Sequence, residues 1–158
     1  MKRAVTLLIL ICLCLTLGAC ASSNEFIHAE LTITVPDGFQ QQDAGGRADM
    51  LLTNGEATVA LTRFSFSNSS VPPALSTDDF AEYYMHKTEV EATLYNYRDI
   101  PYYTYRDGGT GLFCTAVFYR TPYAYFTVLF AARDEAEWRE RFLEIADTAT
   151  LKWNEDNK

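Results

Sequence analysis

Two apolar runs, residues 112–119 and 123–132, constrain this chain more than any other feature. Each has the length of a strand, and each is apolar at odd and even positions alike. A strand with two apolar faces must be covered on both. Arg120-Thr121-Pro122 between them is turn-forming, so the runs pair as a hairpin. The fold must therefore hold these two strands at the centre of a sheet with a layer of structure on each side.

Weaker signals fill in the rest. Residues 26–35 alternate, with Leu31, Ile33 and Val35 on one side, and predict one strand ended by Pro36-Asp37-Gly38. Residues 40–47 are polar and Gly-rich, a loop. Residues 48–53 and 56–66 predict strands joined at Asn54-Gly55, a strong hairpin signal. Residues 67–75, with Pro72-Pro73, form a loop, and the Asn68-Ser69-Ser70 sequon within it is a chance match of pattern. Ser76 followed by Asp79 opens a helix in the manner of a capping box, with Phe80, Tyr84 and Thr88, or Ala81 and Met85, on one face. Residues 92–97 and 102–105 predict short strands about a turn at Asp99-Ile100-Pro101. Asp134, with Glu137 at the third position, caps a second helix whose stripe is Trp138, Phe142, Ile145, Ala146 and Ala149. Residues 150–153 can add a last strand. Strands, a helix, four strands and a helix, without a crossover helix after each strand, predict an α+β fold with an antiparallel sheet flanked by helices.

The first nineteen residues stand apart from this pattern. Lys2 and Arg3 precede an apolar stretch from Ala4 to Leu17, too short to span a bilayer as a mature helix and typical of a secretory leader. Its end, Leu17-Gly18-Ala19-Cys20, resembles the lipobox of bacterial lipoproteins. The resemblance implies lipidation of Cys20, cleavage before it, and a mature chain held on a membrane by two or more acyl chains such as palmitate, enough to make release rare. An ordinary leader that leaves Cys20 a free thiol is the alternative. The expected division is a signal peptide over 1–19, a lipidated cysteine and short tether over 20–25, a single domain over 26–153 and a polar tail over 154–158. The expected location is extracytoplasmic, anchored to the cell membrane, or to the outer membrane in a Gram-negative cell.

With the leader removed, one cysteine remains besides Cys20. Cys114 lies in an apolar run and reads as a small buried hydrophobe, so neither a disulfide framework nor a cysteine zinc site can form. The whole chain carries a formal charge of −8, and the leader takes two basic residues with it. No basic stripe exists to neutralise phosphates, which argues against nucleic acid as a partner.

Chemistry-bearing motifs are sparse. His28 and His86 stand outside any ligand-spaced pattern and read as surface or structural residues. Asp78, Asp79 and Glu82, like Asp134, Glu135 and Glu137, fall at helix starts, where acids complement the dipole and cap free N–H groups. No Gly-x-Ser-x-Gly elbow occurs, and Gly108-Gly109-Thr110-Gly111 leads into a strand rather than a helix, which excludes a phosphate loop. No catalytic residue, metal ligand or cofactor is expected.

The same residues resemble a known family. The Val35-Pro36-Asp37-Gly38-Phe39 opening, the Ser76-Thr77-Asp78-Asp79-Phe80 helix start, the hairpin over 97–105, the strand over 123–132 and the helix over 138–148 follow the order of PsbP-like domains across about residues 26–153. The resemblance implies an α/β/α sandwich around an antiparallel sheet and a non-enzymatic accessory role, docking on membrane complexes or other proteins.

The compositional anomaly is tyrosine. Tyr95, Tyr97, Tyr102, Tyr103 and Tyr105 cluster, and Tyr119, Tyr123 and Tyr125 follow. Paired about the turn, the first group forms a cross-strand ladder. One reading is packing beneath a helix. The other is a binding face, because tyrosine gives large contact area at low entropy cost. The expected function is a non-catalytic docking lipoprotein for an envelope protein, with Tyr97, Tyr102, Tyr103 and Tyr105 as contact face and Arg98 and Arg106 at its rim. The alternative is a small-ligand or glycan-binding module that uses the same tyrosine-rich face.

Overall fold

A computed structural model describes residues 23–152. The leader, Cys20 and the tail from Trp153 lie outside the described residues. In chain order the elements are β1 (Ser23–His28), β2 (Leu31–Pro36), β3 (Gln40–Gln42), β4 (Met50–Thr53), β5 (Ala57–Ser65), α1 (Thr77–Lys87), β6 (Tyr95–Tyr97), β7 (Ile100–Arg106), β8 (Phe113–Arg120), β9 (Ala124–Ala132), α2 (Glu135–Asp147) and β10 (Thr150–Leu151).

The two apolar runs are β8 and β9, neighbours inside a seven-stranded antiparallel sheet of order β3-β4-β5-β9-β8-β7-β6. Two meanders, β3-β4-β5 and β6-β7-β8-β9, meet where β5 pairs with β9 along its whole length. Alternation divides β9 between two cores. Phe126, Val128 and Phe130 point to one face, where Trp138, Phe142 and Ile145 of α2 cover them together with Leu31, Ile33 and Val35 of β2. Tyr125 points to the other, beside Phe118 and Tyr103 and beneath Phe80 and Ala81 of α1. Each face of the sheet thus carries one helix, and the α2 face also carries a second sheet of order β1-β2-β10.

Both helix starts form as the sequence predicts. Ser76 accepts from the Asp79 N–H at 3.1 Å while the Asp79 carboxylate accepts from Ser76, and Asp134 accepts from the Glu137 N–H at 3.1 Å. Asn54-Gly55 likewise turns β4 into β5, with Gly55 at φ +89 and the Asn54 side-chain oxygen accepting from the Ala57 N–H at 2.8 Å.

Several boundaries differ. The single strand expected over 26–35 is a hairpin, β1 and β2, turned by Ala29-Glu30 with Ala29 at φ +52. Its first strand begins at Ser23, so Ser23–Glu25 belong to the sheet rather than to a tether. Gln40–Gln42, expected as loop, pairs with β4 as an edge strand whose side chains are all exposed. The strand expected over 92–97 is confined to Tyr95–Tyr97, and its turn falls at Arg98-Asp99, with Ile100 and Pro101 already in β7. Arg98 and Asp99 have φ +47 and +67, a left-handed pair that glycine and asparagine usually fill.

Candidate functional site

The tyrosine cluster does not form one surface. Tyr102 and Tyr103 are consecutive on β7, so their side chains leave opposite faces of the sheet. Tyr103 is 1% exposed, with its ring 5.6 Å from Phe118 and 5.9 Å from Tyr105, in the core under α1. Burial pushes its phenol up to about 12, partly offset by the Thr88 hydroxyl. Tyr105 shares that core, and burial raises its phenol too. Its register partner Cys114 is the small buried hydrophobe expected, with a thiol raised by burial. Tyr103 and Tyr105 are therefore packing residues, and their removal from the expected contact face is a correction: β alternation sends them under a helix.

Tyr97 and Tyr102 go to the other face, with Tyr95. Tyr95 and Tyr102 are register partners, ring centroids 5.7 Å apart, so this part of the ladder forms. Tyr95 is 52% exposed on the outermost strand of the sheet. Arg98 lies over the Tyr97 ring at 5.5 Å and pairs with Asp147 at the end of α2. Arg106 sits at the far end of β7, about 20 Å of strand away from Arg98. There it donates to the Gly111 carbonyl at 2.9 Å and pairs with Glu135 at 2.8 Å. It is not part of the rim around Tyr97.

A second site escaped the sequence reading. An open groove of about 1260 Å³ runs beside the β1–β2 turn, between the ends of β5, β9 and β10. Its charged wall is the pair Glu30–Arg63, in which Arg63 donates from Nε at 2.9 Å and from Nη2 at 2.7 Å to the two carboxylate oxygens. The guanidinium holds the Glu30 carboxyl below the usual carboxylate range, against the opposing effect of burial. Asp49 fixes the Arg63 backbone, accepting its N–H at 2.6 Å, and lies 3.7 Å from His28. Phe66 and Tyr123 form another wall, and Ser65, Ser67 and Asn68 line it with hydroxyls and an amide. A signal was present in the sequence: Arg63 stands in phase with the core residues Ala57, Val59 and Leu61 of β5, an inward charge at a strand end that must meet a partner.

No family model and no curated protein matches the chain by sequence. Solved structures do match by shape. The cyanobacterial PsbP protein CyanoP of Synechocystis sp. PCC 6803 superposes with a TM-score of 0.54 at 13% identity, over 85% of this chain and 95% of that one. The fold is PsbP-like. A protein of Bacteroides thetaiotaomicron VPI-5482 superposes with a TM-score of 0.58 at 16% identity over 85% of this chain, which spans 50% of its length.

Within the PsbP-like fold, the helix-start acids serve their helices. Asp79 closes the capping box, and Glu135 is drawn down by Arg139 and Arg106. Among the described residues, no three His, Cys, Asp or Glu side chains gather as a metal site, and no helix is long and apolar enough to cross a membrane.

Proposed function

We propose that the chain is a membrane-anchored, extracytoplasmic accessory module that docks on an envelope protein through the outer edge of the β6–β7 hairpin. The single observation that supports this reading is the placement of Tyr95: a large ring, 52% exposed, on the last strand of the sheet. Tyr97, Tyr102 and the side chain of Arg98 adjoin it, and interface cores favour this composition of tyrosine with arginine. The left-handed turn at Arg98-Asp99 holds the edge in place, and such conformations persist where the surroundings over-determine them.

The leader supports the anchor, and the topology gives it a direction. Ser23 pairs with Pro36, at the end of the domain where the Gly38 backbone approaches Asn54, whereas His28 pairs with Leu31 at the other end. A tether ending at Ser23 would hold the first end near the lipid and place the β1–β2 turn about 17–20 Å farther out, at the rise of an extended strand.

Photo-crosslinking in intact cells tests the docking face. A photoreactive residue at Tyr95 is expected to give a discrete protein adduct, and one at the water-facing Glu144 of α2 to give none. Equal labelling at both positions, or none at Tyr95, would refute the face.

A further inference from the structure

We propose that the groove beside the β1–β2 turn is a binding site for an uncharged oligosaccharide. It is independent of the docking edge: Glu30, Arg63 and Tyr123 line it, whereas the docking residues lie on β6 and β7.

Size is the first argument. At about 1260 Å³, the open groove exceeds the roughly 300–1,000 Å³ of a typical small-molecule pocket and has room for more than one sugar ring. Charge is the second. Glu30 and Arg63 neutralise each other, Asp49 faces the Arg63 backbone on one side and His28 on the other, and Lys152 adds one charge at the exposed end of β10. The Glu30–Arg63 wall offers planar polar edges without net charge, which suits paired hydroxyls, and the Lys152 charge disfavours a cation.

The remaining lining fits a sugar. The Phe66 N–H donates to the Tyr123 carbonyl at 2.9 Å; the Phe66 ring packs on Tyr125 in the core under α1, which leaves Tyr123 as the aromatic side chain at this edge. A tyrosine face receives the C–H side of a pyranose ring by burying apolar area, while its polar tip stays wet. Around it stand the Ser65–Ser67 hydroxyl pair at 2.8 Å and the Asn68 amide.

An extended peptide fits less well. Peptides bound as added strands need a free strand edge. Here the local backbone is already paired, Phe66 with Tyr123 and the Lys152 N–H with the Glu30 carbonyl at 2.8 Å. The groove offers side chains, not an open ladder.

The test is an NMR titration of the full chain in detergent micelles with chitotetraose, cellotetraose, maltotetraose and mannotetraose, beside a neutral tetrapeptide and inorganic phosphate. The expected result is a saturable shift at millimolar probe for at least one tetrasaccharide, confined to Ser65, Ser67, Asn68, Tyr123 and their neighbours. Asn68→Ala, at an exposed loop position, is expected to raise Kd at least tenfold without altering the fold, and Tyr123→Ala to raise it further. Arg106→Ala, remote from the groove, should leave Kd unchanged. No saturable shift with any of the four sugars, a shift with the peptide or phosphate alone, or a sugar response unmoved by Asn68→Ala would each overturn the proposal.

Discussion

Replacing Tyr103 by alanine separates packing from recognition. Tyr103 is 1% exposed in the core under α1, in ring contact with Phe118 and Tyr105. Truncating a buried aromatic to alanine costs about 3–5 kcal/mol, from lost transfer energy and from the cavity left behind. Phe118 is itself held edge-on by Phe80 at 5.7 Å, and Phe80 stacks on Tyr125 at 4.2 Å. That closed cluster has little freedom to collapse into the gap, which places the expected loss in the upper part of the range. Against a domain stability of about 5–15 kcal/mol, such a loss is a large fraction of the whole. Tyr95→Ala removes a ring that is half in water and is expected to stay within about 1 kcal/mol. Urea denaturation of both variants, followed by the fluorescence of the buried Trp138, measures the difference. A loss below about 1 kcal/mol for Tyr103→Ala, or one no larger than that of Tyr95→Ala, would refute the assignment of Tyr103 to the core.

Other perturbations follow from the same structure. Tyr103 is raised from 10.0 to about 12, so its neutral form is favoured by folding; its contribution is complete below pH 10 and is lost as pH rises from 10 toward 12. A stability profile should fall in that window, and fall less in Tyr103→Phe. Glu30 is lowered from 4.5, so its contribution is present above that pH and drains away below it; Glu30→Gln should flatten the acid limb and cost about 1 kcal/mol at neutral pH by removing the charge and one of the two oxygens that accept from Arg63, as acid titration with urea midpoints would show. Asp99→Gly should stabilise by about 1 kcal/mol, since the residue sits at φ +67; a destabilised variant in thermal melts would show that the aspartate side chain, not the backbone, holds the turn. Cys20→Ser should abolish incorporation of labelled palmitate and move the protein to the soluble fraction; retention on the membrane would refute the lipid anchor.

The elements that could be read from sequence are those in which one residue type carries a strong local preference. The capping residues Ser76 and Asp134 and the Asn54-Gly55 turn are of that kind, and each forms. The β1–β2 turn was not legible, because Ala29-Glu30 has no turn chemistry of its own and Ala29 is held left-handed by the pairing on either side. Gln40–Gln42 was not legible either, because an edge strand with every side chain in water leaves no alternation to read. For the tyrosines, the period of two already separated Tyr102 from Tyr103. Treating the cluster as one face was the error, because local density in sequence is not a face in a sheet. The groove gathers residues from the β1–β2 turn, the end of β5 and the loop after it, the turn before β9, and β10, and no single segment announces it; the inward Arg63 alone gave a clue.

The pairing of β2 with both β1 and β10 has a consequence for how the chain reaches its place. Thr34 donates its N–H to the Thr148 hydroxyl across 114 positions of sequence. The small sheet cannot close until residues 148–151 have been made. Contacts of such long separation are slow to form, because the loop entropy must be lost first. A nascent chain therefore keeps this sheet incomplete until its β10 segment has been made. On the export route proposed above, that delay would let the chain cross a translocation pore unfolded and complete its fold on the far side.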